Sequence, residues 1–194
     1  AFPIALYLTL TKGLWVMILA ILGFVIALFY VGPPVRLVYR GLGELSIFLA
    51  YGPFMVLGSY YLQSSRLDGA PLLISLVPGT LILSLAILNE IPDYYQDLLV
   101  GKRNAVVRWG RRRGAALYAS ALLSVYLIQI SLVVGGLLPS LSLLTLLTLP
   151  LAWKSIGLVG RHYEEPRKLL PAVNITALLY LTINSLLALS YVIA

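Results

Sequence analysis

The residues best suited to chemistry lie in one polar stretch, Asn89 to Asn104, with the sequence NEIPDYYQDLLVGKRN. Asn89, Asp93 and Asp97 are four residues apart, a spacing that places side chains on one face of an α-helix. Carboxylate and amide oxygens suit Mg²⁺, which proteins hold with one or two carboxylates together with water and substrate phosphates. The spacing therefore predicts a metal-bridged phosphate site.

Basic residues follow the acids directly. Lys102 and Arg103 come just behind Asp97, and their charges would take up the remaining negative charge of a diphosphate. Pro92 removes a backbone donor, so the helix is expected to kink or restart there. Two other interpretations fit the same residues: a helix cap whose acids pair with nearby arginines, or a proton relay in a transporter.

The composition indicates a membrane protein. Of the 194 residues, 60% are hydrophobic and 11% are charged, and the mean hydropathy is +0.96. Soluble domains have about 25% charged residues. The absence of cysteine excludes disulfides, zinc–thiolate sites and thiol nucleophiles. The single histidine, His162, lies in a basic segment, so a Ser–His–Asp hydrolase is not expected.

Continuous apolar runs predict an all-α bundle of transmembrane helices. A span needs about 20 residues, and the runs lack the period-two alternation of barrel strands. The predicted spans are roughly 13–31, 44–62, 71–91, 114–134, 137–153 and 169–193. Residues 1–11 are predicted to be the end of a further helix.

The basic residues predict the orientation of the bundle. The loops 32–43, 92–113 and 154–168 contain 2, 6 and 4 of the 14 Lys and Arg residues, so 12 lie on one side. The positive-inside rule places that side, and the acidic stretch with it, in the cytoplasm. For Arg111, Arg112 and Arg113 we expect only a role in topology and in contacts with anionic lipid.

The run NEIPDYYQDLLVGKRNAVVRWG resembles the second aspartate-rich signature of the UbiA superfamily of intramembrane prenyltransferases. The signature is roughly N-x-x-x-D-x-x-x-D-x-x-x-G-K-R-T-x-x-V-R-x-G. The matching residues are Asn89, Asp93, Asp97, Gly101, Lys102, Arg103, Val107, Arg108 and Gly110. Asn104 stands where the signature usually has Thr.

A second block, YVGPPVRLVYRGLGELSIFLAYGPFMVLGSYY, resembles the menaquinone-pathway branch of that superfamily. Its matching residues are Pro33, Pro34, Arg36, Leu37, Tyr39, Arg40, Gly41, Gly43 and Glu44. Val38 stands where many relatives have a lysine expected to contact diphosphate, so Arg36 or Arg40 is expected to serve instead. The resemblance covers nearly the whole chain.

The resemblance implies a fold of about nine transmembrane helices around a central cavity. On that basis residues 1–194 are one transmembrane prenyltransferase domain that lacks the first two helices, with six to seven helices present. A first aspartate-rich signature, N-x-x-x-D-x-x-x-D, is not found in the sequence. The chain alone is therefore expected to be inactive.

The implied activity is Mg²⁺-dependent transfer of an isoprenyl group from a polyprenyl diphosphate to a lipophilic aromatic acceptor, a quinone or naphthoate precursor. Transfer to a glycerol-type lipid alcohol is an alternative within the same class, and a membrane transporter is an alternative of another class. The expected partners are the two substrates and the bilayer, with no nucleic acid.

The resemblance also implies roles for individual residues. Asp93 and Asp97 bind Mg²⁺, and Asn89 is a weaker ligand or an orienting group. The residues expected to bind diphosphate are Lys102, Arg103, Arg36 and Arg40, with Tyr39 touching diphosphate or acceptor. Glu44 is expected to cap its own helix. The candidates for stabilising an allylic cation are Tyr94, Tyr95, Tyr60, Tyr61 and Phe54, although for each of them a role in packing or at the membrane interface is favoured.

Overall fold

Six helical segments long enough and apolar enough to cross a membrane make up the bundle. The computed structural model describes residues 2–193. The segments are Leu14–Val31, Gly43–Ser64, Gly69–Glu90, Arg111–Val134, Ser140–His162 and Pro166–Ile193, with mean hydropathies from 1.4 to 2.8 over their best windows. Within the described residues there is no strand. The prediction of an all-α bundle with six spans is confirmed.

The first two helices are joined by a sharp turn. Helix α1 (Phe2–Lys12) and helix α2 (Leu14–Val31) meet at Gly13, whose φ of +105° is readily available only to glycine. The hydroxyl of Tyr61 donates a hydrogen bond to the Lys12 carbonyl at 3.0 Å. The predicted helix at the start of the chain is confirmed, except that residue 1 lies outside the described residues.

Prolines divide the second and third spans. The second span consists of α3 (Gly43–Leu49), a π-helical turn at Ala50–Phe54 and α4 (Met55–Ser64). Pro53 lies in that turn and cannot donate a backbone hydrogen bond, which favours the change in pairing. The third span consists of α5 (Gly69–Ile74) and α6 (Leu76–Glu90). Because Pro78 has no N–H, the carbonyl at the end of α5 lacks its usual hydrogen-bond donor.

The fifth span differs from the predicted range 137–153. It begins with a 3₁₀ helix, Ser140–Thr148, and continues as α10 (Leu149–His162). The predicted span ended too early because charged residues lower the average hydropathy of the segment. The helix can nevertheless continue, because a lysine extends its charged end to the interface from an apolar helix. The predicted loop 154–168 is therefore largely helical, and His162 is the last residue of α10.

Helix α6 lies at the centre of the bundle. It packs against α3, α9 (Arg111–Val134) and α11 (Leu170–Ile193). A Cβ on Gly52 would lie 2.8 Å from the Cα of Gly79, so the α3–π-turn segment and α6 approach backbone to backbone. Small residues allow such close packing between helices in lipid.

Buried hydroxyls join three of the long helices. The hydroxyl of Tyr118 on α9 lies 2.6 Å from Ser155 Oγ on α10 and 2.7 Å from Thr176 Oγ1 on α11. All three side chains are fully buried. Such contacts give these polar atoms partners where no water is available.

The three basic segments meet at one end of the bundle. The N–H of Arg103 donates to the Val38 carbonyl at 3.4 Å, which joins the 32–43 loop to the segment after the acidic stretch. Nη1 of Arg111 donates to the Glu164 carbonyl at 3.3 Å, which joins α9 to the segment before α11. This common location of the basic residues agrees with the predicted sidedness.

Candidate active site

The acidic stretch is not one continuous helix. Helix α6 ends at Glu90, a turn follows through Pro92, and α7 (Tyr94–Leu99) begins one residue after Asp93. The break occurs because Pro92 has no N–H to continue the α6 ladder. The predicted restart at Pro92 is confirmed. The carbonyl of Asp93 accepts a hydrogen bond from the N–H of Asp97 at 2.8 Å, so these two residues are one helical turn apart.

The restart changes the environment of the three predicted metal ligands. Asn89 and Asp93 are exposed, whereas Asp97 is only 5% exposed. The three residues lie at one end of the bundle, but Asn89 belongs to α6 and Asp97 to α7. Among residues 2–193, no three His, Cys, Asp or Glu side chains are close enough to bind one metal ion together.

Asp97 is held by two side chains that follow it in the chain. Its Oδ1 lies 2.6 Å from Nζ of Lys102, and its Oδ2 accepts a hydrogen bond from Nδ2 of Asn104 at 2.7 Å. Oδ1 of Asn104 in turn accepts from the N–H of Val107 at 2.8 Å and so caps α8 (Ala105–Trp109). The segment 97–107 is therefore locked around one buried carboxylate.

Two glutamates extend the acidic region beyond the predicted ligands. Glu90 is within electrostatic reach of Glu44, Asp97 and Lys102. Its Oε2 is buried and has no hydrogen-bond partner in the part of the chain that the structure describes. Sequence reasoning gave Glu90 no role, although it stands beside Asn89 in the acidic stretch.

The prediction that Glu44 caps its own helix is wrong. Helix α3 has no side-chain cap. Oε1 of Glu44 instead accepts a hydrogen bond from the N–H of Ala105, the first residue of α8. A carboxylate stabilises a helix N-terminus because the amide groups there carry partial positive charge. Glu44 therefore joins the start of the second span to the segment that follows the acidic stretch.

The predicted diphosphate-binding residues of the 32–43 loop are exposed at the same end. The guanidinium carbon of Arg36 lies 5.7 Å from the centre of the Tyr39 ring. Nη2 of Arg40 donates to the Pro34 carbonyl at 3.4 Å. Arg103 is also exposed, and the bond from its N–H to Val38 places it beside this loop. Three arginines are thus exposed at this end of the bundle, and none of them forms an ion pair among the described residues. Of the predicted diphosphate-binding residues, Lys102 is the one that pairs with a carboxylate there.

A largely apolar cavity of about 640 Å³ begins at Asn89. It runs between α2, α3 and α6, and its lining includes Ile26, Ile82 and Leu85. Its size and apolar lining suit a flexible hydrocarbon chain. Since α2, α3 and α6 all contribute to its lining, the cavity is formed by spans that are far apart in sequence.

The aromatic residues of this cavity are not the ones that the sequence suggested. Tyr30 and Tyr51 line it, whereas the tyrosine pairs 60–61 and 94–95 and Phe54 do not. Tyr94 and Tyr95 instead contact each other edge to face, with ring centres 5.2 Å apart. Arg111 stacks on both rings, so it contributes to packing, which goes beyond the role in topology predicted for it.

The donor set at this end of the bundle fits a hard divalent cation. Asp93 and Asn89 supply exposed oxygens, and the buried Oε2 of Glu90 is an oxygen without a partner among the described residues. Only oxygen ligands are available, which suits Mg²⁺ better than metals that prefer nitrogen or sulfur. These residues provide fewer ligands than Mg²⁺ requires, so diphosphate oxygens and water would complete its coordination.

Comparisons with known proteins agree with these features. Residues 1–191 match the UbiA prenyltransferase family. The chain is 34% identical over 142 residues to the 2-carboxy-1,4-naphthoquinone phytyltransferase of Synechocystis, which covers 72% of the chain. It is 30% identical over 180 residues (89% of the chain) to the 1,4-dihydroxy-2-naphthoate octaprenyltransferase of Mycobacterium tuberculosis. The Bacillus subtilis protein of that description is 24% identical over 178 residues (91% of the chain).

The chain spans about half the length of the curated relatives it matches. The aligned part is 45% of the Synechocystis protein, 58% of the M. tuberculosis protein and 57% of the B. subtilis protein. No solved structure matches the chain.

Proposed function

Because the chain belongs to the UbiA prenyltransferase family, we propose that its protein transfers an isoprenyl group from a polyprenyl diphosphate to a naphthoate-type aromatic acceptor within the membrane. The observation that carries the proposal is the family match over residues 1–191, together with the position of Asn89, the first signature residue, in the lining of an apolar cavity. Named relatives act on naphthoate or naphthoquinone compounds, which favours an aromatic acceptor over a glycerol-type alcohol. The family match likewise favours an enzyme over a transporter.

The cations at the basic end of the bundle support binding of the diphosphate. Arg36, Arg40 and Arg103 are exposed cations, and each guanidinium can bind phosphate oxygens in a bidentate manner. Lys102 has three N–H donors, of which one is directed at Asp97. Its remaining donors would reach the diphosphate, and Tyr39 beside Arg36 would help to orient it.

Asp93 and Asp97, with Asn89 as a weaker ligand, would hold Mg²⁺. The ion would neutralise the charge that develops on the departing diphosphate. Lys102 and the arginines add positive charge at the same place, which stabilises the leaving group. Tyr30 and Tyr51 line the cavity, and aromatic rings there would stabilise an allylic cation.

The cavity supports the second requirement of the reaction. An allylic cation reacts with water, so ionisation has to occur where water is excluded. The apolar lining around Ile26, Ile82 and Leu85 would hold the isoprenoid chain and keep water away from its reactive end. The site would open on the basic side of the bundle, which the distribution of lysine and arginine assigns to the cytoplasm.

A direct test uses the full-length protein in membranes with labelled geranylgeranyl diphosphate. The acceptors are 1,4-dihydroxy-2-naphthoate and a glycerol-type alcohol, each with and without Mg²⁺. We expect a prenylated product with the naphthoate only when Mg²⁺ is present. Product with the glycerol-type alcohol alone would overturn the acceptor assignment.

The site assignment is tested in the same assay. Asp93→Ala and Asp97→Ala are expected to lower turnover by at least about 100-fold, because each removes charge that binds the metal. Asp68→Ala is the matched control, since Asp68 is an exposed acid on the opposite side that bonds only Tyr60. Full turnover in both site variants would mean that these aspartates do not bind the metal.

A further inference from the structure

A second cavity lies beside α3, apart from the one at Asn89. Its volume is about 440 Å³, and its apolar wall includes Leu45 and Phe48 of α3, Leu83 and Ile87 of α6 and Leu117 of α9. None of these residues lines the larger cavity. The two cavities therefore use different faces of the paired helices α3 and α6.

The two cavities have no lining residue in common. Asn89 lines the larger cavity and is absent from the lining of the smaller one. A molecule in the smaller cavity would lie across the α3–α6 contact from a chain in the larger one. The smaller cavity, here called the α3–α9 groove, therefore suits a ligand that takes no part in the transfer.

The basic end of the α3–α9 groove carries two residues typical of a membrane interface. Arg108 and Trp109 line it there, both are exposed, and the guanidinium carbon lies 5.7 Å from the centre of the indole ring. Tryptophan favours the level of the lipid headgroups. The groove is thus apolar along its length and cationic at its mouth.

The guanidinium of Arg108 is available for an anion. Among residues 2–193 the ion pairs involve other cations, namely Lys102, His162 and Lys168. Glu44 also lines the groove, but its carboxylate accepts a hydrogen bond from the N–H of Ala105. Arg108 therefore presents a positive charge that the described part of the protein does not neutralise.

Gly41 fixes the position of that charge. A Cβ on Gly41 would lie 2.8 Å from Nη1 and 3.6 Å from Cδ of Arg108, so the arginine side chain lies directly over the glycine. Gly41 has a φ of +75°, which other residues adopt only with strain. Because Gly41 has no side chain and its backbone turns sharply, there is space for the guanidinium at the mouth of the groove.

We propose that the α3–α9 groove binds an anionic phospholipid. One acyl chain lies along the apolar wall formed by Phe48, Leu83 and Leu117, and the phosphate binds the guanidinium of Arg108. The proposal rests on charge complementarity, because an arginine without an acidic partner stands at the end of an apolar groove on the most basic side of the protein. The groove shares no lining residue with the cavity at Asn89.

The test measures lipid binding directly, by native mass spectrometry of the full-length protein released from detergent. The probes are dioleoyl phosphatidylglycerol and dioleoyl phosphatidylcholine, which have the same chains but differ in net charge. We expect phosphatidylglycerol to bind more tightly. Arg108→Gln should weaken its binding by at least about tenfold, because a hydrogen bond to a charged group is lost. Arg112→Gln removes an equal charge from an exposed residue outside the groove and should have little effect.

A second variant tests the apolar wall. Leu45→Trp adds bulk to the groove from a half-exposed position and should reduce binding of both lipids while the melting temperature stays near that of the parent.

Soluble glycerol 3-phosphate should not displace the lipid, which distinguishes a lipid from a free phosphate as the ligand. Equal binding of phosphatidylglycerol by the Arg108→Gln and Arg112→Gln variants would overturn the proposal. A dimer that Leu45→Trp dissociates would assign the groove to a second copy of the chain and would also overturn it.

Discussion

Asp97 and Asn104 are joined by a hydrogen bond of 2.7 Å from the amide Nδ2 to the carboxylate Oδ2, and both side chains are buried. The same amide group caps α8 through its oxygen, which accepts from the N–H of Val107. One side chain therefore sets both the orientation of a proposed metal ligand and the start of the next helix.

Replacing Asn104 should disturb both functions at once. Asn104→Ala removes the cap, at a cost of about 1 kcal/mol, and leaves Oδ2 of Asp97 without this donor. We expect a lower melting temperature in detergent and a higher Mg²⁺ concentration for half-maximal turnover. Asn104→Thr retains a hydroxyl that can cap the helix and is the matched control. Equal Mg²⁺ requirements in the two variants and the parent would show that Asn104 does not orient Asp97.

Arg111 should hold α7 in place. Its guanidinium carbon lies 4.8 Å from the centre of the Tyr95 ring, and Nη1 donates to the Glu164 carbonyl. A stacked cation contributes about 0.5–1 kcal/mol at an exposed site. Arg111→Ala is therefore expected to speed hydrogen exchange in residues 94–99, as measured by mass spectrometry. Arg112→Ala removes a neighbouring exposed arginine and should leave that exchange unchanged. Similar protection in both variants would contradict the stacking role.

The contact between Gly52 and Gly79 should not tolerate a side chain. In Gly52→Ala the new Cβ would lie 2.8 Å from the Cα of Gly79 and 2.9 Å from the Ser75 carbonyl oxygen. Because both neighbours are backbone atoms, we expect a loss of about 1–3 kcal/mol in the free energy of unfolding. Gly157→Ala is the control, since nothing lies within 4 Å of its added Cβ. That change should be neutral or stabilising by up to about 1 kcal/mol. Thermal unfolding in detergent compares them, and equal stability of the two variants would count against the close packing.

The orientation in the membrane can be tested with single cysteines, because this chain has none. Arg112→Cys lies on the basic side and Arg66→Cys on the opposite side, and both positions are exposed. In intact cells a maleimide that does not cross membranes should label position 66 and leave position 112 unlabelled. Labelling of position 112 alone would reverse the proposed sidedness.

Much of the fold could be predicted because its physical signals are local. A run of apolar residues long enough to cross the bilayer defines a span, and the restart at Pro92 follows from the missing N–H. The end of α10 was predicted too early because a window average falls as soon as charged residues appear. The helix continues because Ala152, Ser155 and Val159 keep one face buried.

The sequence could predict where polar residues gather in the candidate site, but not the contacts that they make. The spacing of Asn89, Asp93 and Asp97 indicated the polar end of α6, but it could not show that Asp97 is buried against Lys102 and Asn104. The bond from Ala105 to Glu44 joins residues 61 positions apart, and no local pattern specifies such a pairing. The aromatic residues of the cavity were missed for the same reason, since Tyr30 and Tyr51 meet only when the spans pack.

The backbone contact at Gly52 and Gly79 has a geometric consequence for the two cavities. Side chains of α3 serve both, because Ile47 lines the larger one whereas Leu45 and Phe48 line the smaller one. With the helix pair pinned at the glycines, a rotation of α3 about its own axis would widen one cavity as it narrows the other. A hydrocarbon chain bound in one cavity would therefore change the shape of the other cavity.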